Sequence, residues 1–252
     1  MAMRLLLLIL FIVPAAGEAA LCTASSGAGT AALVELYTSE GCSSCPPADR
    51  WLASLGSRYP AGNVVPLALH VDYWDYIGWK DSYAKREFSL RQRKFSQLQR
   101  MALVYTPQVL LQGRDFRAWA SKSFDQAVAK INAQPARTKL RLAVMSADAQ
   151  ALEVEAVAEL VQASADADLY LAAYRSRLES QVKAGENRGR LLTHDYVVLE
   201  WQGPFAFAGK TLTERRKLPL LPGAAPANSG VAAFVQDRRT GEVLQALLRS
   251  TC

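Results

Sequence analysis

The sequence predicts an α/β domain with a helical insertion, followed by an all-β antiparallel sandwich domain. Three observations lead there. In the first half, short apolar β-prone runs alternate with amphipathic helical stretches. After Pro135 the helical period disappears, and short strands recur at steady spacing with turn residues between them. The chain has 252 residues, half of them hydrophobic and 21% charged, which is enough for two modest domains and excludes wholesale disorder.

The first residues stand outside that plan. Met1 to Arg4 supplies a positive start, Leu5 to Val13 a short apolar run, and Pro14 to Ala20 small residues before a cleavage point. This is the layout of a secretory signal peptide, assigned to residues 1–19, with cleavage after Gly17 or Ala19. The run is too short to span a membrane as a helix, and no other stretch is apolar enough, so no transmembrane span is expected after cleavage. Lipidation at Cys22 is the other option, but Leu21 stands where a small residue belongs. Export, periplasmic or extracellular, places the chain where disulfides form and persist.

The first domain is assigned to residues 30–136. Ala32 to Tyr37 is a short strand leading into the turn and helix-start chemistry of Thr38 to Pro47. Ala48 to Ser57 reads as a helix with Trp51, Leu52 and Leu55 on one face, and Pro46 and Pro47 suit its first turn. Val64 to Val71 is nearly continuous in apolar residues, as in a strand buried on both faces. Residues 81–100 carry a helical stripe of Ala84, Phe88, Phe95 and Leu98 with a basic, solvated exterior. A strand after Pro107 turns at Gly113 into a second strand through Phe116 and Trp119, and Ser123 caps a last helix. The second domain, residues 137–252, offers strands at Lys139–Met145, Leu152–Val161, Leu169–Tyr174, Thr193–Glu200, Thr211–Leu218, Val231–Asp237 and Glu242–Leu248.

Four cysteines allow three pairings. Cys42 and Cys45 are two residues apart, Cys22 opens the mature chain and Cys252 is its last residue. The economical arrangement is one local pair and a structural disulfide joining Cys22 to Cys252, because the termini of a domain tend to lie close together. Structural zinc lacks a second pair of ligands: the only histidines are His70 and His194, far apart in sequence.

The chemistry concentrates at Cys42-Ser43-Ser44-Cys45. A cysteine at a helix start faces unpaired backbone N–H groups and the positive end of the helix dipole, which favours the thiolate. Cys42 is therefore the expected attacking thiol and Cys45 the resolving one.

The strand, the C-x-x-C at a helix start and the later Thr106-Pro107 resemble the thioredoxin superfamily, with a lead-in closer in length to that of glutaredoxins. That resemblance implies a cis-proline at Pro107, next to Thr106, presenting backbone to a substrate polypeptide. It also implies a buried acid that moves the resolving thiol's proton, for which Glu35 is the nearest candidate, one residue further from the first cysteine. The segments Val34–Asp49, His70–Asp81, Tyr105–Gln108 and Gly185–Gly189 resemble, over nearly the whole mature chain, a bacterial family of secreted thioredoxin-like proteins designated domain of unknown function 1223. This resemblance implies fold and export and assigns no activity. Pro47 departs from typical thioredoxins.

Other features are read both ways. His70, Asp72, Tyr73 and Trp74 follow a strand end, where ligands bind in α/β sheets, and are placed to line a substrate groove beside Cys42. The plainer reading is aromatic packing around a satisfied core histidine. Gly185 to Gly189 reads as a loop that stabilises the sandwich or as one that overhangs the C-x-x-C. Copper held by two thiolates and an imidazole is a further alternative. No cofactor or resident metal is expected. Hydrolase and nucleotide-binding motifs are absent, the net charge of +6 is mild, and nucleic acid is not an expected partner. The sequence thus leaves two hypotheses: an exported, monomeric thiol–disulfide oxidoreductase acting with an unidentified redox partner or protein substrate, or on small-molecule disulfides, and a non-enzymatic binding module.

Overall fold

The structure, a computed structural model, describes residues 22–148, 150–164, 166–220 and 226–252. The expected signal peptide at residues 1–19 lies outside the described residues.

In chain order the elements are β1 (Cys22–Ser25), β2 (Ala32–Thr38), α1 (Pro46–Arg58), β3 (Val64–His70), a 3-10 segment (Asp72–Ile77), α2 (Arg86–Leu98), β4 (Gln108–Leu111), β5 (Arg114–Asp115) and α3 (Lys122–Asn132). There follow β6 (Thr138–Ala147), β7 (Ala151–Leu160), β8 (Ala167–Arg175), β9 (Leu178–Gln181), β10 (Leu191–His194), β11 (Val197–Ala206), β12 (Thr211–Pro219), β13 (Ser229–Asp237) and β14 (Val243–Ser250).

These strands form one eight-stranded sheet in the order β14-β13-β8-β11-β3-β2-β4-β5, one four-stranded sheet in the order β1-β6-β7-β12, and the separate hairpin β9–β10. The expected thioredoxin-like α/β domain followed by a separate antiparallel sandwich is therefore not what the chain builds. The protein is mostly β, and its central sheet takes strands from both sides of residue 137. The reason is the free edge of β3. β11 pairs with it in parallel at Val197 and Ala68, and the Ala68 N–H donates to the Tyr196 carbonyl at 2.8 Å. Strands that read as a self-contained sandwich continue the first sheet, and an edge that would otherwise be unpaired is covered. β2 and β3 run parallel through seven partners, while most of the remaining ladders are antiparallel.

Period-two alternation assigns each face of the central sheet its own core. Leu33 and Tyr37 of β2, Tyr170 and Ala172 of β8 and Phe234 of β13 join Phe88 and Phe95 of α2. On the opposite face, Val34 and Leu36 pack with Leu52 and Leu55 of α1 and Phe124 of α3. On that same face further along, Leu171, Ala173, Val231 and Val235 meet Leu142, Val154 and Leu218 of the smaller sheet. The amphipathic stripe of the basic helix behaves as expected at Phe88 and Phe95, while Leu98 stays largely exposed at the helix end.

Three local expectations are corrected. The second arm of the hairpin is only Arg114–Asp115, and Phe116 and Trp119 leave the sheet to pack against α1 and α3. The cap of α3 is Ser121, whose hydroxyl accepts the Ser123 N–H at 3.3 Å, while Ser123 lies in the first turn. The single strand expected over Thr193–Glu200 is divided between β10 and β11 by a turn at Asp195 and Tyr196.

Candidate functional site

β2 ends at Thr38, and the chain turns through residues 39–44 into α1. Cys42 and Cys45 are joined by a disulfide, as are Cys22 and Cys252. Cys45 is the cap residue of α1, with Pro46 and Pro47 in its first turn. The two prolines remove two of the backbone donors that a helix start normally offers an anion. The Ala48 and Asp49 N–H groups are turned back onto the Cys45 carbonyl at 2.9 and 3.1 Å. In the loop itself the Cys42, Ser43 and Cys45 N–H groups donate to the Ser39 carbonyl, Glu186 and the Cys42 carbonyl, so a thiolate at Cys42 meets fewer free donors than a C-x-x-C at a helix start implies.

Ser43 and Ser44 face solvent, while Cys42 is only 1% exposed and Cys45 is fully buried. The Ser44 hydroxyl lies 3.3 Å from the Cys42 sulfur. Gly41 is packed so closely that an added Cβ would come within 3.2 Å of both Trp74 and Ile77. The Gly185–Gly189 loop meets the same stretch. Asn187 donates to the carbonyl oxygens of Glu40 and Cys42 at 2.8 and 2.9 Å, and Glu186 accepts the Ser43 N–H at 2.9 Å. Hydrogen bonding from the Ser43 side chain, and then from its N–H, holds the Glu186 carboxyl below its ordinary value.

Behind the disulfide loop lies a buried cluster of ionisable groups. Both histidines of the chain are in it, 85° apart in ring plane with centroids 4.9 Å apart. His70, the last residue of β3, is hydrogen-bonded to Asp81 at 2.7 Å between Nδ1 and Oδ2. His194, the last residue of β10, has Nε2 at 3.3 Å from Glu40 and Nδ1 at 3.8 Å from Asp49. Glu40 accepts from the Trp79 indole at 2.7 Å, its N–H donates to Asp81 at 2.9 Å, and Asp49 accepts from Thr38 at 2.8 Å. Burial would lower the His70 pKa, but the carboxylates of Asp81, Asp49 and Glu40 together outweigh it and raise it above 6.5. Burial would raise Asp81, but His70 and the N–H groups of Glu40 and Tyr83 together outweigh it and hold it below 3.8. For Asp49 burial dominates and the pKa rises, against the pull of His194 and His70. Nε2 of His70, both ring nitrogens of His194 and one oxygen of Glu40 are buried without a hydrogen bond. Among the described residues, no group of three or more His, Cys, Asp or Glu side chains is placed to hold a metal ion.

The remaining predicted residues fall in different places. The Thr106–Pro107 bond is cis. Gln108 lies opposite Tyr37, so Pro107 stands one step beyond, at the end of the sheet from which the Cys42 loop departs. The Thr106 hydroxyl accepts from the Trp74 indole at 2.7 Å. Asp72 accepts from the Ser89 hydroxyl, and Tyr73 donates to Gln92 at 3.1 Å; half-buried, the two line a shallow pocket against α2 together with Arg86, Ser89, Leu90 and Arg93. His70 is fully buried and so lines no groove. Glu35 is not a proton relay for Cys45. It points to the α2 face and is paired with Arg91 at 2.6 Å, whose guanidinium lies over the rings of Phe95, Tyr170, Trp201 and Phe234. The alternation of β2 accounts for this: Glu35 shares parity with Leu33 and Tyr37, whereas α1 covers Val34 and Leu36. Sequence reasoning missed Glu40, Asp49 and Asp81 as a group, and Asn187. The available signal was an acid two residues before Cys42 and another four residues after Cys45, both in otherwise apolar or turn-forming stretches.

A family profile described as "Protein of unknown function (DUF1223)" matches residues 33–236. Among solved structures, the chain is similar to protein AGR_C_4864 from Agrobacterium tumefaciens, with 27% identity, a TM-score of 0.67, and 90% of this chain and 97% of that one covered. It also shares a fold with HBP35 of Porphyromonas gingivalis, at 14% identity and a TM-score of 0.67, over 89% of this chain and 76% of that one. None of the curated proteins matches the chain.

Proposed function

We propose that this chain, which belongs to the DUF1223 family, is an extracytoplasmic thiol–disulfide oxidoreductase whose working bond is Cys42–Cys45. The observation that carries the reading is the position of that bond. It closes a two-residue gap at the mouth of α1, with Ser43 and Ser44 open to solvent and five buried ionisable groups behind it. A bond so short in sequence constrains the unfolded chain little, so its contribution to stability is small. Two disulfides in one chain fit an oxidising compartment.

The exchange balances as follows. A partner thiolate attacks the Cys42 sulfur, the Cys42–Cys45 bond breaks, and Cys45 leaves as a thiolate that takes up a proton. A second partner thiolate attacks the partner's sulfur in the mixed disulfide and releases Cys42. The partner departs as a disulfide, and the pair has gained two electrons. The reverse sequence reduces a partner disulfide.

Equilibration in graded thiol–disulfide buffers, alkylation of free thiols and mass spectrometry of each cysteine test this. Interconversion of Cys42 and Cys45 between about −120 and −270 mV, with Cys22–Cys252 still joined, supports the redox function. A Cys42–Cys45 bond that resists reduction below about −300 mV sinks it. The second reading, a binding module with a structural bond, is favoured by one observation, the near-complete burial of Cys42.

A further inference from the structure

The β9–β10 hairpin stands apart from both large sheets. It leaves the central sheet after β8 and returns at β11, and those two strands are neighbours there. Both junctions carry a non-glycine residue at positive φ, Arg177 and Tyr196, each at 57°. Bulky side chains occupy that region at a cost and only where their surroundings hold them. The far end of the hairpin is bracketed by Gly185 at φ 73° and Gly189 at φ 82°, which take the same region freely. Between them, the amide of Asn187 is fully buried and fully used. It gives its two donors to the carbonyls of Glu40 and Cys42, and its oxygen accepts from Arg190 at 2.8 Å. Glu186 binds the Ser43 N–H from the solvent side.

We propose that the tip of this hairpin is a displaceable cover on the Cys42–Cys45 bond, and that it reserves the bond for polypeptide thiols and disulfides over small ones. This rests on the redox reading above. With the tip in place Cys42 is 1% exposed and Cys45 is fully buried, which leaves little surface for an attacking sulfur. Lifting the tip takes the partners from two carbonyl oxygens and one N–H group of the Cys42 loop together. A small thiol leaves those groups to water. An extended polypeptide carries alternating N–H and C=O groups and takes over the same three positions, so it recovers what the tip gives up.

The test uses the full chain and two folded-state checks, circular dichroism and thermal melting. Reduction of Cys42–Cys45 is timed with 2-mercaptoethanol and with reduced, unfolded ribonuclease at equal thiol concentration. The wild-type chain is expected to react at least about tenfold faster with the polypeptide. Asn187→Ala and Asn187→Asp are expected to raise the small-thiol rate by about tenfold or more and to narrow that ratio, since each removes the paired donors. An unchanged small-thiol rate in folded variants overturns the cover, and a raised rate at an unchanged ratio overturns the polypeptide preference. Should the Asn187 variants not fold, Glu186→Gln on the exposed side of the tip is read in the same way, with a smaller expected rise. A second readout involves no disulfide exchange. In Cys45→Ser, which frees the Cys42 thiol, iodoacetamide labelling of Cys42 is compared with and without Asn187→Ala. About tenfold faster labelling supports the cover even if the native pair proves irreducible, in which case only the redox reading fails. Equal labelling overturns the cover even if the pair is redox-active.

Discussion

Cys22–Cys252 joins residues 230 apart in sequence, tying the first strand of the smaller sheet to the residue just past β14 at the edge of the central one, whereas Cys42–Cys45 joins residues three apart at the mouth of a helix. In the chain-entropy picture the long closure is worth about 5–6 kcal/mol and the short one much less. The buried ionisable groups are distributed the other way. Glu40, Asp49, His70, Asp81 and His194 lie behind the short bond, whereas the Cys22 sulfur meets a backbone carbonyl at the end of a sandwich. On the proposed reading one bond serves stability and the other exchange, and the difference lies in what surrounds them.

The sharpest way to break that contrast is Cys42→Ser, which is expected to abolish exchange with a reduced polypeptide while moving the denaturant midpoint only slightly. Loss of exchange together with a large loss of stability would make the short bond structural as well. Next in size are the buried ion pairs. Glu35→Gln leaves the Arg91 guanidinium without its carboxylate, and Asp81→Asn does the same to His70. Each is expected to cost about 3–5 kcal/mol in urea unfolding. Only Asp81→Asn is expected to shift the reduction potential of Cys42–Cys45, because Glu35 lies across the sheet from α1. Opening the long bond with Cys22→Ser and Cys252→Ser is expected to cost up to about 5 kcal/mol and to leave the potential unchanged, measured by the same titration.

The smallest effect is the pH dependence of the cluster. The folded-state pKa of His70 is raised above 6.5, so its contribution to stability is complete below 6.5 and is lost as pH rises through the folded value. Asp81 is held below 3.8, so its contribution persists above 3.8 and is lost only as pH falls through the lower folded value. The melting temperature is therefore expected to decline on the alkaline side of about pH 6.5 in the wild type and to flatten there in His70→Gln. An equal decline in that variant would place the titrating group elsewhere.

Much of this was legible in the sequence. The continuous apolar run of β3 and the alternation of β6 and β7 marked their elements to within one or two residues, and the stripe of α2 found its helix though not its start, which is Arg86 rather than residue 81, because period and burial are local signals. The pairing of β11 with β3 was not legible, since it is carried by Val197 and Ala68, two ordinary apolar residues more than a hundred positions apart. That one pairing changes the fold from two domains to a shared sheet. At the site, Cys42 and Cys45 announce themselves by spacing, as does Pro107 through the family resemblance. Glu35 misled because proximity in sequence says nothing of which face of a strand a side chain takes. The cluster was hidden because its members come from a turn, a helix, a strand end, a loop and a distant hairpin, and no period connects them.

The bond between Cys22 and Cys252 has a mechanical consequence. With Cα atoms 6.1 Å apart, the two ends of the described fold form a closed loop of covalent structure. Tension applied between residues 22 and 252 loads sulfur, and no strand need unzip until that bond is cut. Anything tethered at either end emerges from the same corner of the molecule. In a single-molecule pulling experiment, the oxidised chain would lengthen by almost nothing and the reduced chain by its full contour.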